Sequence, residues 1–248
     1  MTRLKRRRVL GWIGSAGAIG ILPRISSVAV LGQPSLPYTV KGSGPTLITF
    51  AGSILDSLSE RYRVIAMDYP PAEMLYAQSR AVRDTFTPER VCTDILSVAD
   101  MAGASNFAYY GYSWGGVVGL QLATRTKRLS ALVCGGWPPL GAPYRDMPNA
   151  TGQSIFTTFY RSLQDWPERE AVAGISCPRL AFAGRDDVID GPGVNVRIGP
   201  LLSEHREELQ QMGWTVRIVA GFAHSLNASL DVVGPILREF LDPILLRD

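Results

Sequence analysis

Two histidines and three cysteines are all the imidazole and thiol that this chain of 248 residues contains. Three cysteines cannot all pair with one another, so no disulfide framework holds the fold. No Cys/His cluster has metal-ligand spacing and no dinucleotide glycine fingerprint occurs, so neither metal nor cofactor is expected. Internal repeats and low-complexity runs are missing too, which excludes solenoids and tandem arrays. No apolar run reaches the ~20 residues of a membrane span, so no stable span is expected. Beyond residue 29 there is no lysine–arginine stripe. Residues 1–29 hold Arg3, Lys5, Arg6, Arg7, Arg8 and Arg24 and no acid. The formal net charge of +3 therefore leaves −3 on the remainder, and nucleic acid is excluded as a partner.

Hydrophobic residues make up 46% of the chain and charged residues 19%, ample material for a core. The length suits one large α/β domain. The first segment stands apart. A basic start, Met1–Arg8, precedes the uncharged stretch Val9–Leu22 and the small residues Ser27-Val28-Ala29. That order of basic, apolar and small-x-small is the export-signal pattern, with cleavage expected after Ala29. Residues 1–29 are thus expected to be a signal peptide, and 30–248 a single domain in the periplasm or outside the cell. Arg6-Arg7-Arg8-Val9-Leu10 resembles a twin-arginine motif, with Val9 where that motif favours Phe. A cytoplasmic protein that retains this extension is the alternative.

From Tyr38 onward, apolar strands alternate with helical stretches. Strands are expected at 46–50, 63–67, 107–110, 129–134, 179–183 and 215–220. Val91, Ile95, Val98 and Ala102 fall on one face of a helix over 88–102, with Thr87 as cap and Pro88 in the first turn. Further helices are expected at 114–126, 204–212 and 232–241. Such alternation implies βαβ units and a mostly parallel, doubly wound sheet with helices on both faces. Residues 139–175 break the rhythm and read as a small helical lid.

Gly111-Tyr112-Ser113-Trp114-Gly115 lies between the strand FAYY and a helix. A strand that turns this sharply into a helix presents one side chain at its tip, and close neighbours must be glycine. Ser113 is the candidate nucleophile, with the helix N-terminus beneath it. Serine needs a base within reach. His205 sits in the charged helical run SEHREELQQ, whereas His224 follows a strand end and precedes the last helix, so His224 is the expected base. Asp186, Asp187 and Asp190 all follow strand RLAFA and are open as the acid.

These motifs resemble those of the α/β-hydrolases over roughly Tyr38 to Leu245. Gly42-Ser43-Gly44-Pro45 is similar to the family's approach to its third strand. Gly184-Arg185-Asp186-Asp187 resembles its acid turn, and Gly221-Phe222-Ala223-His224-Ser225 its histidine turn. The order Ser, Asp, His agrees with the family. The resemblance implies Asp187 as the acid, with Asp186 one residue away and Asp146 as the candidate after the preceding strand. It also implies an oxyanion hole from two backbone N–H groups, Trp114 and Ser53, with Ile54 as the alternative to Ser53. Ala51-Gly52 stands where the family usually has His-Gly, Asp68-Tyr69-Pro70-Pro71 lacks a frequent glycine, and Gly52–Arg63 is short. The chain reads as a divergent, trimmed member. Trp137, Phe156 and Phe159 are expected to line an apolar substrate pocket. Cys134 and Cys177 are expected at opposite ends of neighbouring strands, which leaves the thiols unpaired and buried.

The implied activity is hydrolysis of a carboxylic ester, or a related acyl bond, of a small molecule without a cofactor. Three other readings stand beside it. Ser113-Trp114-Gly115 resembles proline iminopeptidases. Cofactor-free haloperoxidases share the triad. A binding protein on a degenerate scaffold is the non-enzymatic reading.

Overall fold

Sheet strands form where apolar, β-branched runs end in turn residues. A computed structural model describes residues 36–152, 154–191 and 194–246. The proposed signal segment and its cleavage position after Ala29 lie outside the described residues. The strands are β1 (Tyr38–Lys41), β2 (Thr46–Phe50), β3 (Arg63–Met67), β4 (Phe107–Tyr112), β5 (Leu129–Gly135), β6 (Arg179–Gly184), β7 (Ile189–Gly191), β8 (Val194–Val196) and β9 (Trp214–Val219). Seven of them form one sheet in the order β1-β3-β2-β4-β5-β6-β9. β1 runs antiparallel to β3 and all other neighbours are parallel. The fold is α/β with a mostly parallel, doubly wound sheet.

The helices are α1 (Leu55–Ser59), α2 (Ala72–Leu75), α3 (Arg80–Arg83), α4 (Pro88–Met101), α5 (Trp114–Ala123), α6 (Met147–Thr151), α7 (Ile155–Arg161), α8 (Glu168–Ala173), α9 (Ile198–Glu204), α10 (Arg206–Gln211) and α11 (Leu230–Leu245). They cover both faces. Successive strand residues point to opposite sides. Leu47, Val64, Ala108, Ala131 and Leu180 pack with Leu58 of α1 and with Val233, Leu237 and Leu241 of α11. Their neighbours Ile48, Ile65, Tyr109, Leu132 and Ala181 pack with Val91 and Ile95 of α4 and Val117 of α5. Strands buried on both faces read as continuous apolar runs, as these do.

The α4 stripe forms as expected. Val91, Ile95 and Val98 are fully buried, Pro88 opens the helix, and the Thr87 hydroxyl oxygen accepts from the Arg90 N–H at 3.4 Å. Several boundaries differ. The helix expected over 204–212 is two, α9 and α10, parted at His205 with φ −95° and ψ 9°. α11 is longer than expected at both ends and contains Pro235 and Pro243. The β7–β8 hairpin and the single-turn helices α1, α2 and α3 are too short to leave a period in the sequence. Residues 139–175 carry α6, α7 and α8 with a 3₁₀ turn at Pro143–Arg145, a cap of short pieces after β5.

Candidate active site

Ser113 adopts φ 56° and ψ −121°, one of two non-glycine residues with positive φ among those described. The backbone reaches this region because β4 ends directly at α5. A Cβ on Gly111 would collide with the Gly115 carbonyl, so only glycine fits there. The Ser113 N–H donates to the Gly135 carbonyl at 2.8 Å, which ties the elbow to β5. The Ser113 carbonyl accepts from the Gly116 N–H at 2.9 Å and begins the helix.

His224 opens a 3₁₀ turn, His224–Ala228, just past the carboxyl end of β9. The Ser113 hydroxyl donates to His224 Nε2 at 2.8 Å. On the other side of the ring, Nδ1–H donates to the Asp187 carboxylate at 2.9 Å and 3.1 Å. Asp187 is fully buried while the His224 side chain is 32% exposed. This contrast suits a fixed acceptor behind a ring that must reach solvent and substrate. The turn holding Asp187 is itself fixed: its N–H donates to the Gly184 carbonyl at 3.3 Å, and its carbonyl accepts from Gly199 at 2.8 Å.

The other candidates lie elsewhere. Asp186 is exposed and its N–H donates to the Phe222 carbonyl at 3.0 Å. Asp190 is on the hairpin, accepting from Asn195 at 3.3 Å. Asp146 is exposed and opens α6. His205 pairs with Glu208 at 3.3 Å and lines a separate cleft of about 780 Å3 with Tyr144, Trp166 and Glu168. In that cleft Glu168 accepts from the N–H groups of Gly141 and Ala142, all at 3.0–3.1 Å. Burial nevertheless outweighs those bonds and raises its carboxyl to about 7.

The loop that follows β2 lies beside the elbow, because β2 is the parallel neighbour of β4. Ala51 N–H donates to the Met67 carbonyl at 2.7 Å and so is not free for an oxyanion, while Ser53 and Ile54 lie further along the same loop. Trp114 is the first residue of α5, so its N–H has no partner within the helix. Its indole stacks on Phe50 at 5.2 Å and Phe86 at 5.5 Å, and meets Phe156 and Phe159 edge-on at 5.2 Å and 5.4 Å. The three expected pocket aromatics separate here. Trp137 (1% exposed) stacks on Tyr160 inside the core, and Phe159 (0%) is buried as well. Phe159 therefore backs the wall, Trp137 packs in the core, and of the three only Phe156 is partly open. Phe50, Tyr69 and Phe86 complete this aromatic wall without any signal in the sequence pattern.

The thiols offer no competing nucleophile. Burial raises Cys92 to about 12 and Cys134 well above its ordinary value. All three cysteines are free, and Cys177 is half-buried rather than buried. Among the described residues no group of three or more His, Cys, Asp or Glu could hold a metal ion. Among them, too, no helix is long and apolar enough to cross a membrane.

No family model and no curated protein matches this chain. Solved structures do. An epoxide hydrolase of the α/β-hydrolase superfamily from metagenomes of hot environments is 18% identical, with TM-score 0.61 over 89% of this chain and 99% of that one. Carboxylesterase CesB (YbfK) from Bacillus subtilis is 16% identical, with TM-score 0.59 over 89% and 92%. A variant of the N-acyl homoserine lactonase AidH, complexed with N-hexanoyl homoserine, is 14% identical, with TM-score 0.65 over 92% and 99%. These likenesses show the fold: the chain shares the α/β architecture of these hydrolase structures. Identities this low carry the architecture and leave the substrate to be argued from the site.

Proposed function

We propose that the protein is a serine hydrolase that cleaves carboxylic esters of small organic molecules. The hydrogen-bonded series Ser113–His224–Asp187 is the observation that carries this reading. The Ser113 oxygen attacks the ester carbonyl carbon as its proton passes to His224 Nε2. The carbonyl oxygen takes up negative charge and accepts from the N–H groups of Trp114 and Ser53. The bond to the alkoxy oxygen breaks, and the departing alcohol takes the proton from His224. Water then repeats the sequence on the acyl-enzyme: it gives a proton to His224, the acid leaves, and Ser113 regains its hydrogen. Asp187, buried against Nδ1, keeps the ring in the tautomer that presents a bare Nε2 and stabilises the imidazolium between transfers.

The partly open wall of Phe156, Trp114 and Phe50 supports an apolar acyl or alcohol group beside the nucleophile. A fluorophosphonate probe tests the reading directly. Covalent attachment at Ser113, together with turnover of p-nitrophenyl esters, is expected. An unlabelled, folded protein would leave a non-catalytic binder. We also propose that residues 1–29 direct export, from their basic, apolar and small-residue order. A mature N-terminus at Val30 in the exported fraction is expected, and a cytoplasmic chain that begins at Met1 would overturn it.

A further inference from the structure

Two tyrosines on β4 cross from the strand that leads into Ser113 to the turn that carries His224. Tyr110 and Tyr112 are two residues apart and so share a face of the sheet, the one covered by α11. The Tyr112 hydroxyl donates to the backbone carbonyl of His224 at 3.1 Å. The Tyr110 hydroxyl donates to Asn227 Oδ1 at 2.7 Å, three residues further along the same turn. The Tyr112 ring also lies 5.6 Å from the imidazole, tilted by 49°.

The seat of Tyr112 is narrow. Gly135 and Gly136 at the end of β5 lie against its ring: a Cβ on either would stand 2.6 Å from a Tyr112 carbon. Phe182 of β6 packs on Tyr112 at 6.0 Å and on Tyr110 at 6.3 Å. Burial raises both phenols far above their ordinary values, so both stay protonated and act as donors. The histidine turn is anchored beyond His224 by Leu226, which is fully buried, but the stretch that leads into it is open. Ala220, Gly221 and Ala223 are exposed, and Gly221 has φ 78°. The imidazole is held at its tip by Asp187, and its backbone is held by β4.

We propose that Tyr112, with Tyr110 behind it, is a positioning residue that holds the His224 backbone at the distance from Ser113 that proton transfer needs. The proposal rests on the reading of His224 as the general base. Its effect is geometric: a displacement of about 1 Å in a reacting pair costs on the order of 100-fold in rate. Because Ser113 follows directly on β4, which carries both tyrosines, one strand sets the positions of nucleophile and base together.

Tyr112→Phe removes one oxygen and keeps the ring in its glycine seat, so the thermal midpoint serves as a fold control. On a p-nitrophenyl ester we expect kcat to fall about 10- to 100-fold with KM within twofold. Fluorophosphonate labelling of Ser113 should slow by the same factor. Tyr110→Phe should show the same pattern at a smaller size. The deciding measurement is the pair with His224→Ala. Once the imidazole is gone, Tyr112→Phe should change the residual rate by less than twofold. Three outcomes would overturn the proposal alone: an unchanged kcat, a raised KM with kcat kept, or an equal further loss in the His224→Ala background. A His224→Ala variant with wild-type turnover would instead overturn the general-base reading, and the proposal with it.

Discussion

A serine at φ 56° holds a conformation that costs on the order of 1–3 kcal/mol. At Ser113 that strain is held by the Gly135 carbonyl on one side and by the start of α5 on the other, and it aims the hydroxyl at His224. Single atoms therefore matter here. Asp187→Asn should lower kcat by about 10⁴-fold, because the amide favours the wrong imidazole tautomer. Asp186→Asn should stay near wild type, since its side chain is exposed and its contact to the histidine turn is a backbone bond. A pH-stat or p-nitrophenyl assay separates the two, and the reverse ranking would move the acid by one residue. His224→Ala should also cost about 10⁴-fold or more, and adding Ser113→Ala should make it barely worse, because the triad acts as a unit. His205→Ala, in the cleft behind α8, should leave turnover unchanged. The histidine was legible because only two had to be weighed, and the acid was narrowed in the sequence to Asp186, Asp187, Asp190 or the more distant Asp146. Phe50, Tyr69, Phe86, Tyr110 and Tyr112 were not legible. An aromatic residue in or near a strand has the same pattern whether it fills the core or borders a site.

Among the elements, the cap of short helices carries a titratable anchor. Glu168, the first residue of α8, binds the backbone at Gly141 and Ala142, where the chain leaves β5. Ala142 has φ 47°, so this bend is strained and the carboxyl holds it. Burial raises Glu168 to about 7 from an ordinary 4.5. The folded state therefore binds its proton more tightly than the unfolded chain does. Stability should fall as pH rises from about 4.5 to about 7 and be flat, for this group, outside that window. Urea unfolding midpoints at pH 5 and pH 8 check this: Glu168→Gln should remove that part of the difference. An unaltered difference in the variant would show that Glu168 is not the group involved. Regular elements such as α4 and the apolar strands were readable from periodicity. The break at His205 and the β7–β8 hairpin were not, since three to six residues make too short a window.

At the scale of the molecule, the described residues over the sheet edge beside Ser113 and His224 are short pieces. The space between β5 and β6 holds three helices, each of seven residues or fewer. The His224 side chain is 32% exposed. We expect broad tolerance for short and medium acyl chains. Each methylene in a partly open apolar site contributes about 1 kcal/mol or somewhat more, so neighbouring chain lengths should differ modestly. No strong activation at a lipid interface is expected, because there is little to open. Rates on a p-nitrophenyl ester series below and above the solubility limit decide this. A sharp jump at the limit, or one strongly preferred length, would contradict it.

The sequence by itself determined the order of strands and helices, the elbow, and which histidine could be a base. These depend on local rules: alternation in a strand, spacing on a helix face, and glycine where a turn is tight. Only the tertiary structure decided which aspartate meets the imidazole, because Asp186 and Asp187 differ by a rotation about one residue. It also decided that Trp137 and Phe159 are core, and that Tyr112 reaches the histidine turn. Such facts depend on the packing of β4, β5, β6 and β9 against one another, and contacts between residues some hundred positions apart leave no periodic trace in the chain.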